Sequence, residues 1–198
     1  PQGSPKPEKN PVVIISTITN AGEGKQFVAK DFDDKSVLDS FIKYVQDFDP
    51  DIIAGYGTNR LDWSYLLARC KKLGIKLSVD RACTEPHTSV YGHVSLTGRA
   101  NIDFFDFSDE LPEVKVKTLE NVADFLEVMK IEKRTLIEDV DFATYWDDLK
   151  KRSILLKFSM ANAQSVMGVA EAMLDFAIQL SSLVGLPLDH VGTAAVGF

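Results

Sequence analysis

The sequence predicts an α/β fold in which helices flank a mixed β-sheet. Residues 12–19, VVIISTIT, form a β-branched run that is typical of a buried strand. Residues 52–54 form a second apolar run, and Gly55, Gly57 and a helical pattern follow it, which indicates a strand–turn–helix unit. The element order strand, strand, helix, strand, helix, hairpin, helices favours a sheet covered by helices, with residues 52–54 as a central strand.

Composition limits the class of protein. The 198 residues are 45% hydrophobic, which suffices for one sizeable core but not for two comfortable domains. Two cysteines make no disulfide framework, so a reducing cytoplasm is expected. Without a signal peptide or a long apolar run, no membrane partner is expected. The net charge of -7 argues against broad non-specific binding to DNA, although it is compatible with an acidic metal site.

The N-terminal third of the chain is predicted to contain a linker, a hairpin and a helix. Residues 1–11 are rich in proline and are predicted as an extended linker. The strand at residues 12–19 turns at residues 20–24 and returns as a second arm at residues 26–32. Residues 36–48 place apolar side chains on one face, which predicts an amphipathic helix.

The turn after residues 52–54 carries the first candidate site residue. Trp63, Leu66, Leu67 and Cys70 have helical spacing, and Gly74 marks the end of the helix. Asn59 and Asp62 have the spacing of a capping box, which predicts that Asn59 caps this helix. Asp62 also lies beyond the carboxyl end of a strand, where ligands collect in open α/β sheets, so it is equally a candidate metal ligand or base.

The middle of the chain is predicted as an irregular segment followed by two strands. Residues 76–88 are mixed in composition, residues 89–96 alternate as a strand does, and residues 100–107, ANIDFFDF, form an apolar strand. Asp103 and Asp106 are predicted to be strand-end carboxylates that bond to the backbone or to Arg99.

The remaining chain is predicted to be helical. Thr118 caps one helix, residues 141–150 form a short one, and residues 153–183 form a long one. The basic run at residues 150–152 is predicted to end the short helix, where it would favour the dipole. Asn162 is a strongly polar residue on the apolar stripe of the long helix, either a hydrogen-bonded core amide or a residue that faces a site.

Three segments resemble the 3′–5′ exonuclease domain of family B DNA polymerases, archaeal members especially. Residues 56–62, YGTNRLD, are similar to the family's second exonuclease motif, Tyr-Asn-x-x-x-Phe-Asp, with Gly57 and Leu61 replacing Asn and Phe. Residues 158–162, FSMAN, are similar to the third motif, Tyr-x-x-x-Asp, with Phe158 and Asn162 replacing both signature residues. Gly98 and Arg99 followed by Asp103 match a family strand, and residues 185–198 match the connection to the polymerase domain.

The resemblance implies a ribonuclease-H-like (DnaQ-like) fold and a two-metal site of carboxylates that binds Mg²⁺ or Mn²⁺. Of the four family acids, this sequence retains Asp62 alone, and Phe158 lacks the hydroxyl that places the attacking water. The Asp-x-Glu of the family's first strand is not found in the sequence. That strand either lies upstream of Pro1 or is absent, and the sequence leaves both open. His87, His93 and His190 show no zinc spacing.

The resemblance therefore predicts an exonuclease-like domain over residues 12–184 that has lost catalysis, followed by a polymerase connection at residues 185–198. It implies a structural role, or contacts to a single-stranded 3′ end of DNA, to replication proteins and to the rest of a polymerase chain, in the cytoplasm. Tyr56, Gly57, Asn59 and Arg60 are the implied DNA contacts. No tightly bound cofactor is expected, and Asp62 is at most a weak metal ligand. The alternative is an active proofreading exonuclease, with Mg²⁺ or Mn²⁺, whose Asp-x-Glu lies upstream. A generic α/β interaction module is a third hypothesis.

Overall fold

A computed structural model describes residues 5–90 and 92–194, so the first four residues of the predicted linker and the last four of the predicted connection lie outside it. The chain opens with an antiparallel hairpin of β1 (Ile14–Ile18) and β2 (Gly24–Val28), in register with Ile14 opposite Val28. The second arm ends before the predicted residue 32, because Asp31 and Phe32 take positive φ angles of 47° and 63° that no strand can continue.

The predicted first helix is confirmed as α1 (Asp34–Phe48). The Asp33 side chain caps it by accepting a hydrogen bond from the Ser36 amide. Its apolar face is buried in the core, and Asp49, with a left-handed φ of 53°, ends it.

The strand–turn–helix unit is confirmed as β3 (Ile52–Gly55) and α2 (Asp62–Leu73), with left-handed Gly74 at the C-cap. The two strands predicted next are shorter than expected. Of residues 89–96, among which Tyr91 lies outside the described residues, only Val94–Ser95 form a strand, β5. It pairs in a small hairpin with β4 (His87–Thr88), which lies in the segment predicted as irregular. The apolar run from residue 100 gives β6 (Ala100–Asp103), and its second half turns into a 3₁₀ helix, Phe104–Glu110.

The strands form three separate pairs in the described residues instead of one continuous sheet. β3 pairs in parallel with β6, with Gly55 opposite Asp103. Because β3 has a partner on one side only in this part of the chain, the predicted central position is not realised, although the mixed α/β character is. The long helix α5 (Leu149–Val184) packs against both β1 and β3.

The helical part begins with α3 (Leu119–Phe125), which Thr118 caps as predicted. The predicted helix at residues 141–150 is wrong in extent: α4 (Phe142–Asp147) ends at Asp148, which has an extended ψ of 113°. The Asp148 carboxylate accepts hydrogen bonds from the amides of Lys150 and Lys151 and so begins α5. The basic run therefore lies in the first turn of α5, where the dipole disfavours cations, and Asp148 offsets that cost. A short helix, α6 (Val191–Ala194), follows α5.

Two hydrophobic clusters form the core, and α5 contributes to both. One holds the hairpin, α1 and α2, and the other holds β6, α3 and the middle of α5. Gly168 allows close packing here, since a Cβ at this position would lie 2.1 Å from Val128 Cγ1. By length and composition alone α5 is apolar enough to cross a membrane; in this fold it packs against β1, α3 and α4.

The segment predicted as a linker is fastened to the fold from residue 6 onward. The buried Arg69 guanidinium pairs with the buried Asp34 carboxylate and also donates to the Pro7 carbonyl at 2.9 Å. The Tyr65 hydroxyl donates to the Asn10 carbonyl at 2.7 Å. These contacts order the residues in front of β1 against α2.

Candidate functional site

Asp103, at the carboxyl end of β6, shapes the turn between β3 and α2. Its carboxylate accepts hydrogen bonds from three backbone amides: Gly57 at 2.6 Å, Asn59 at 2.8 Å and Phe105 at 3.0 Å. This confirms the predicted backbone role, while Arg99 bonds elsewhere, to Asp49 at 2.8 Å. An ionised carboxylate has about four acceptor positions, and backbone donors take three of them here, which leaves little capacity for a metal.

Asn59 is buried and does not cap α2, so the predicted capping box is wrong. Leu61 occupies the N-cap position, without a side-chain bond to the helix. The Asn59 side-chain oxygen instead accepts from the Val94 amide at 3.2 Å and from the Asn101 amide group at 2.9 Å. Asn59 therefore joins the turn to β5 and β6, and this tertiary network overrides the local capping pattern.

Asp62 is the first residue of α2 and is exposed to solvent. Desolvation by surrounding protein atoms, and then the nearby Asp103 carboxylate, raise the pKa of Asp62 to about 6. Because the residue is open to water, this shift is discounted as a stability term. A carboxyl group that changes charge near neutral pH is suited to proton transfer or to holding a cation.

Beside this turn lies an aromatic and cationic surface. The Arg60 guanidinium carbon lies 4.3 Å from the centre of the Phe105 ring, and the Tyr56 ring meets Phe105 edge-on at 5.6 Å. The Tyr56 hydroxyl donates to the Lys117 carbonyl at 2.9 Å, and burial raises the pKa of Tyr56 to about 12. An open cavity of about 260 Å³ adjoins the stack, lined in part by Arg60, Phe105 and Asp106. The pKa of Asp106 is raised, mainly by burial.

An arginine, Arg134, lies against the two residues of the third-motif segment, Phe158 and Asn162. The Arg134 guanidinium donates to the Asn162 side-chain oxygen and to Ser165 Oγ at 3.0 Å. It lies 5.8 Å from the centre of the buried Phe158 ring and 3.8 Å from the Glu120 carboxylate. The Arg134 side chain is only 1% exposed, and its Nε has no hydrogen-bond partner. Asn162 is thus a bonded amide, one of the two alternatives that the sequence left open.

The residues present do not fit a two-metal site. At the third-motif position, a fixed guanidinium already bonds to the oxygen of Asn162, and it would repel a divalent cation there. Phe158 packs against Phe142 and has no polar atom to hold water. Three backbone amides already bond to Asp103, and Asp62 would be one carboxylate by itself where Mg²⁺ prefers several hard oxygen ligands.

The structure gathers the predicted site residues into two groups. Tyr56, Gly57, Asn59, Arg60 and Asp62 surround the turn after β3, whereas Phe158 and Asn162 lie on α5 with Arg134. That Asp62 and Asn162 share one cleft stays a prediction.

Two residues of these groups, Arg134 and Phe105, were not predicted from the sequence. Arg134 lies in the segment between α3 and α4, where no local pattern marks it. Phe105 was included only as part of a strand. Its aromatic neighbour Tyr56 in the second-motif segment was the one available signal.

Comparisons with known proteins agree on one family. Residues 1–122 match the model described as DNA polymerase family B, exonuclease domain. DNA polymerase 2 of Aeropyrum pernix is 48% identical over 98% of this chain and 24% of its own length. A DNA polymerase of Archaeoglobus fulgidus is 34% identical over 96% of this chain and 23% of its own length. The family B DNA polymerase of Pyrobaculum calidifontis superposes with a TM-score of 0.95 and 46% identity, over 97% of this chain and 25% of that one. The chain thus spans about a quarter of the length of these relatives.

Proposed function

Because the chain belongs to the exonuclease-domain family of the family B DNA polymerases, we propose that it is the exonuclease-fold domain of a DNA polymerase and that it does not hydrolyse DNA. The observation that carries this proposal is the buried Arg134 guanidinium bonded to Asn162. At this position, the family resemblance implies an acid that holds a metal ion. Here a neutral amide faces a permanent positive charge instead.

The loss of chemistry follows from that arrangement. Two-metal hydrolysis needs carboxylates that clamp both ions and a group that positions the attacking water. Asn162 carries no charge, and its oxygen is already engaged by a donor. Phe158 keeps the shape of the family tyrosine and its packing in the core, but it has no hydroxyl. Selection on the fold without selection on catalysis is the simplest account of this pattern.

The residual role is a contact with single-stranded DNA near a 3′ end. The exposed Arg60 guanidinium stacked on Phe105 resembles the platforms on which unpaired bases stack, and base stacking tolerates any sequence. The Gly57 and Asn59 amides are bonded to Asp103, so the turn that presents Arg60 is held rigid. The acidic surface restricts this contact to a local patch and excludes broad duplex binding.

The rest of a polymerase chain is the second partner. The C-terminal part of α5 exposes apolar side chains at Phe176, Ile178, Leu183 and Val184. Exposed apolar surface of this kind favours a protein neighbour. In a polymerase of the size of the relatives, the remaining chain would supply that neighbour, in the cytoplasm.

An active proofreading exonuclease is the second candidate, and two observations favour it. Asp62 is retained and open to solvent. β1 and β3 both pack on α5, and each has a pairing edge without a partner in the described residues, so an upstream strand with Asp-x-Glu has edges to join.

Digestion of a 3′-labelled single strand by the full-length natural polypeptide separates the two candidates. With Mg²⁺ or Mn²⁺ present, we expect no more product from the parent than from Asp62→Asn, which removes the one retained acid. Release of 3′ nucleotides by the parent that Asp62→Asn abolishes would establish the active alternative. Binding is measured separately, because loss of stacking in Arg60→Ala should weaken single-strand binding by about 1–3 kcal/mol. Its control is Lys43→Ala, a change at an exposed lysine of α1.

A further inference from the structure

The fold brings together three potential metal ligands that are remote in sequence. His93 lies next to β5, whereas Asp189 and His190 precede α6. One ligand atom from each of the three side chains lies within 4.8 Å of the other two. The two imidazole rings are 4.1 Å apart between their centres, and His190 Nε2 is 3.7 Å from an Asp189 carboxylate oxygen.

We propose that His93, Asp189 and His190 form a binding site for a Zn²⁺ ion. Two imidazoles and one carboxylate are ligands of the kind that Zn²⁺ takes, with water as the fourth ligand of a tetrahedron. No zinc spacing marks this site in the sequence, because the ligands come from two segments that tertiary folding alone brings into contact.

The surroundings of His93 are suited to a metal ligand. It is 4% exposed, and both ring nitrogens have hydroxyl neighbours, Ser89 Oγ at 2.7 Å and Ser95 Oγ at 2.8 Å. A neutral imidazole donates from one nitrogen and keeps a lone pair on the other. One serine therefore holds the ring orientation, as outer partners of ligating histidines do, and a metal at the other nitrogen would displace the hydroxyl that bonds there.

A metal at this position would fasten the segment after α5 to the β4–β5 hairpin. Three residues close to these ligands in the sequence, Gly92, Gly192 and Thr193, line the cavity of about 260 Å³ beside Arg60 and Phe105. The ion would therefore fix one wall of the surface to which single-stranded DNA is assigned above. The site itself does not depend on that assignment, since its ligands are separate from the DNA contacts.

Titration of the metal-free, full-length polypeptide with Co²⁺, a spectroscopic substitute for Zn²⁺, tests the site. We expect a saturable visible absorption of four-coordinate Co²⁺, displaced by Zn²⁺. His190→Gln and Asp189→Asn should each weaken Zn²⁺ binding by at least about 10-fold, since even partners outside the ligand shell matter this much. Both side chains are partly exposed, so the variants should fold, which thermal unfolding without metal verifies.

His87→Gln is the matched control, because His87 lies on the same hairpin but outside the cluster. It should bind Co²⁺ as the parent does. Two results would overturn the proposal. One is equal weakening of metal binding by His87→Gln and His190→Gln. The other is a Co²⁺ absorption spectrum from which His190→Gln removes no band. A sulfur-to-cobalt charge-transfer band that His190→Gln removes would also overturn the proposal, because a cysteine would then be a ligand of this site.

Discussion

Asn162→Asp restores the family acid at the position where the structure places Arg134, and its effect on stability has a definite sign. The new carboxylate would pair with a guanidinium that is 1% exposed and now bonds to a neutral amide. The parent bond already has one charged partner, the guanidinium, and such bonds contribute about 1.5–3 kcal/mol; the new carboxylate adds Coulomb attraction between two opposite charges. Part of this gain is lost to desolvation of the carboxylate, so a net stabilisation of about 1 kcal/mol is expected at pH 7.

Two carboxylates oppose this gain: Glu120, which already lies 3.8 Å from the same guanidinium, and Asp62, whose effect is weaker. Asp62 is exposed, and charges that interact through solvent contribute less than about 1 kcal/mol. The gain also has a pH signature. A carboxylate paired with Arg134 should have a folded pKa below the unfolded value of about 3.9. Its contribution is therefore complete above that unfolded value and is lost as the pH falls through the folded pKa.

Urea unfolding of the parent and of Asn162→Asp, at pH 7 and at progressively lower pH, measures the effect. Gln164→Glu is the control, because it adds the same charge at an exposed position two residues away on α5. A cycle with Arg134→Met should return a favourable coupling energy between the two sites. If Asn162→Asp lowers the stability at pH 7 more than Gln164→Glu does, repulsion within a shared acidic cleft dominates and the pairing with Arg134 is refuted.

Three further changes test other parts of the fold. The raised folded pKa of Asp62, about 6, should cost only a small part of the stability as the pH rises from about 4 to 6, because solvent screens this exposed carboxylate, and Asp62→Asn should remove that dependence; a pH profile of melting that is identical in both proteins would contradict it. Gly168→Ala places a methyl group inside a neighbouring side chain and should destabilise by about 1–3 kcal/mol in thermal unfolding, whereas a gain from helix propensity alone would show that the contact relaxes. Arg69→Met breaks a buried ion pair and should cost about 3–5 kcal/mol, whereas Arg81→Met, at a side chain that is 38% exposed, should cost clearly less; equal losses in urea would argue against the difference in burial.

Sequence patterns predicted those elements whose signal is local. The periodicity of residues 36–48 and the cap at Thr118 depend on neighbours along the chain, and both predictions were confirmed. The strand predicted at residues 89–96 failed because alternation alone carries no information about a pairing partner. Here the chain folds back on itself at once, as the β4–β5 hairpin.

Only part of the candidate site could be predicted from the sequence. Asp62 and the exchanges at Phe158 and Asn162 are visible in the sequence, so the loss of acids could be inferred from it. The contact of Arg134 with Asn162 could not, because a long-range pair between an arginine and an amide has no sequence period. Asn59 likewise gave a strong capping signal, which a buried network with Asn101 and Val94 outweighed.

The central claim is that no catalytic metal site remains around Asp62 and Asn162, and calorimetric titration of Mn²⁺ tests it most directly. Parent and Asp62→Asn full-length polypeptides are compared, so that ions bound elsewhere cancel in the difference. We predict the same titration curve for both, because Asp62 is one exposed carboxylate and the side-chain oxygen of Asn162 is already bonded to Arg134, so neither gives a measurable site. Micromolar Mn²⁺ binding by the parent that Asp62→Asn abolishes would contradict the account.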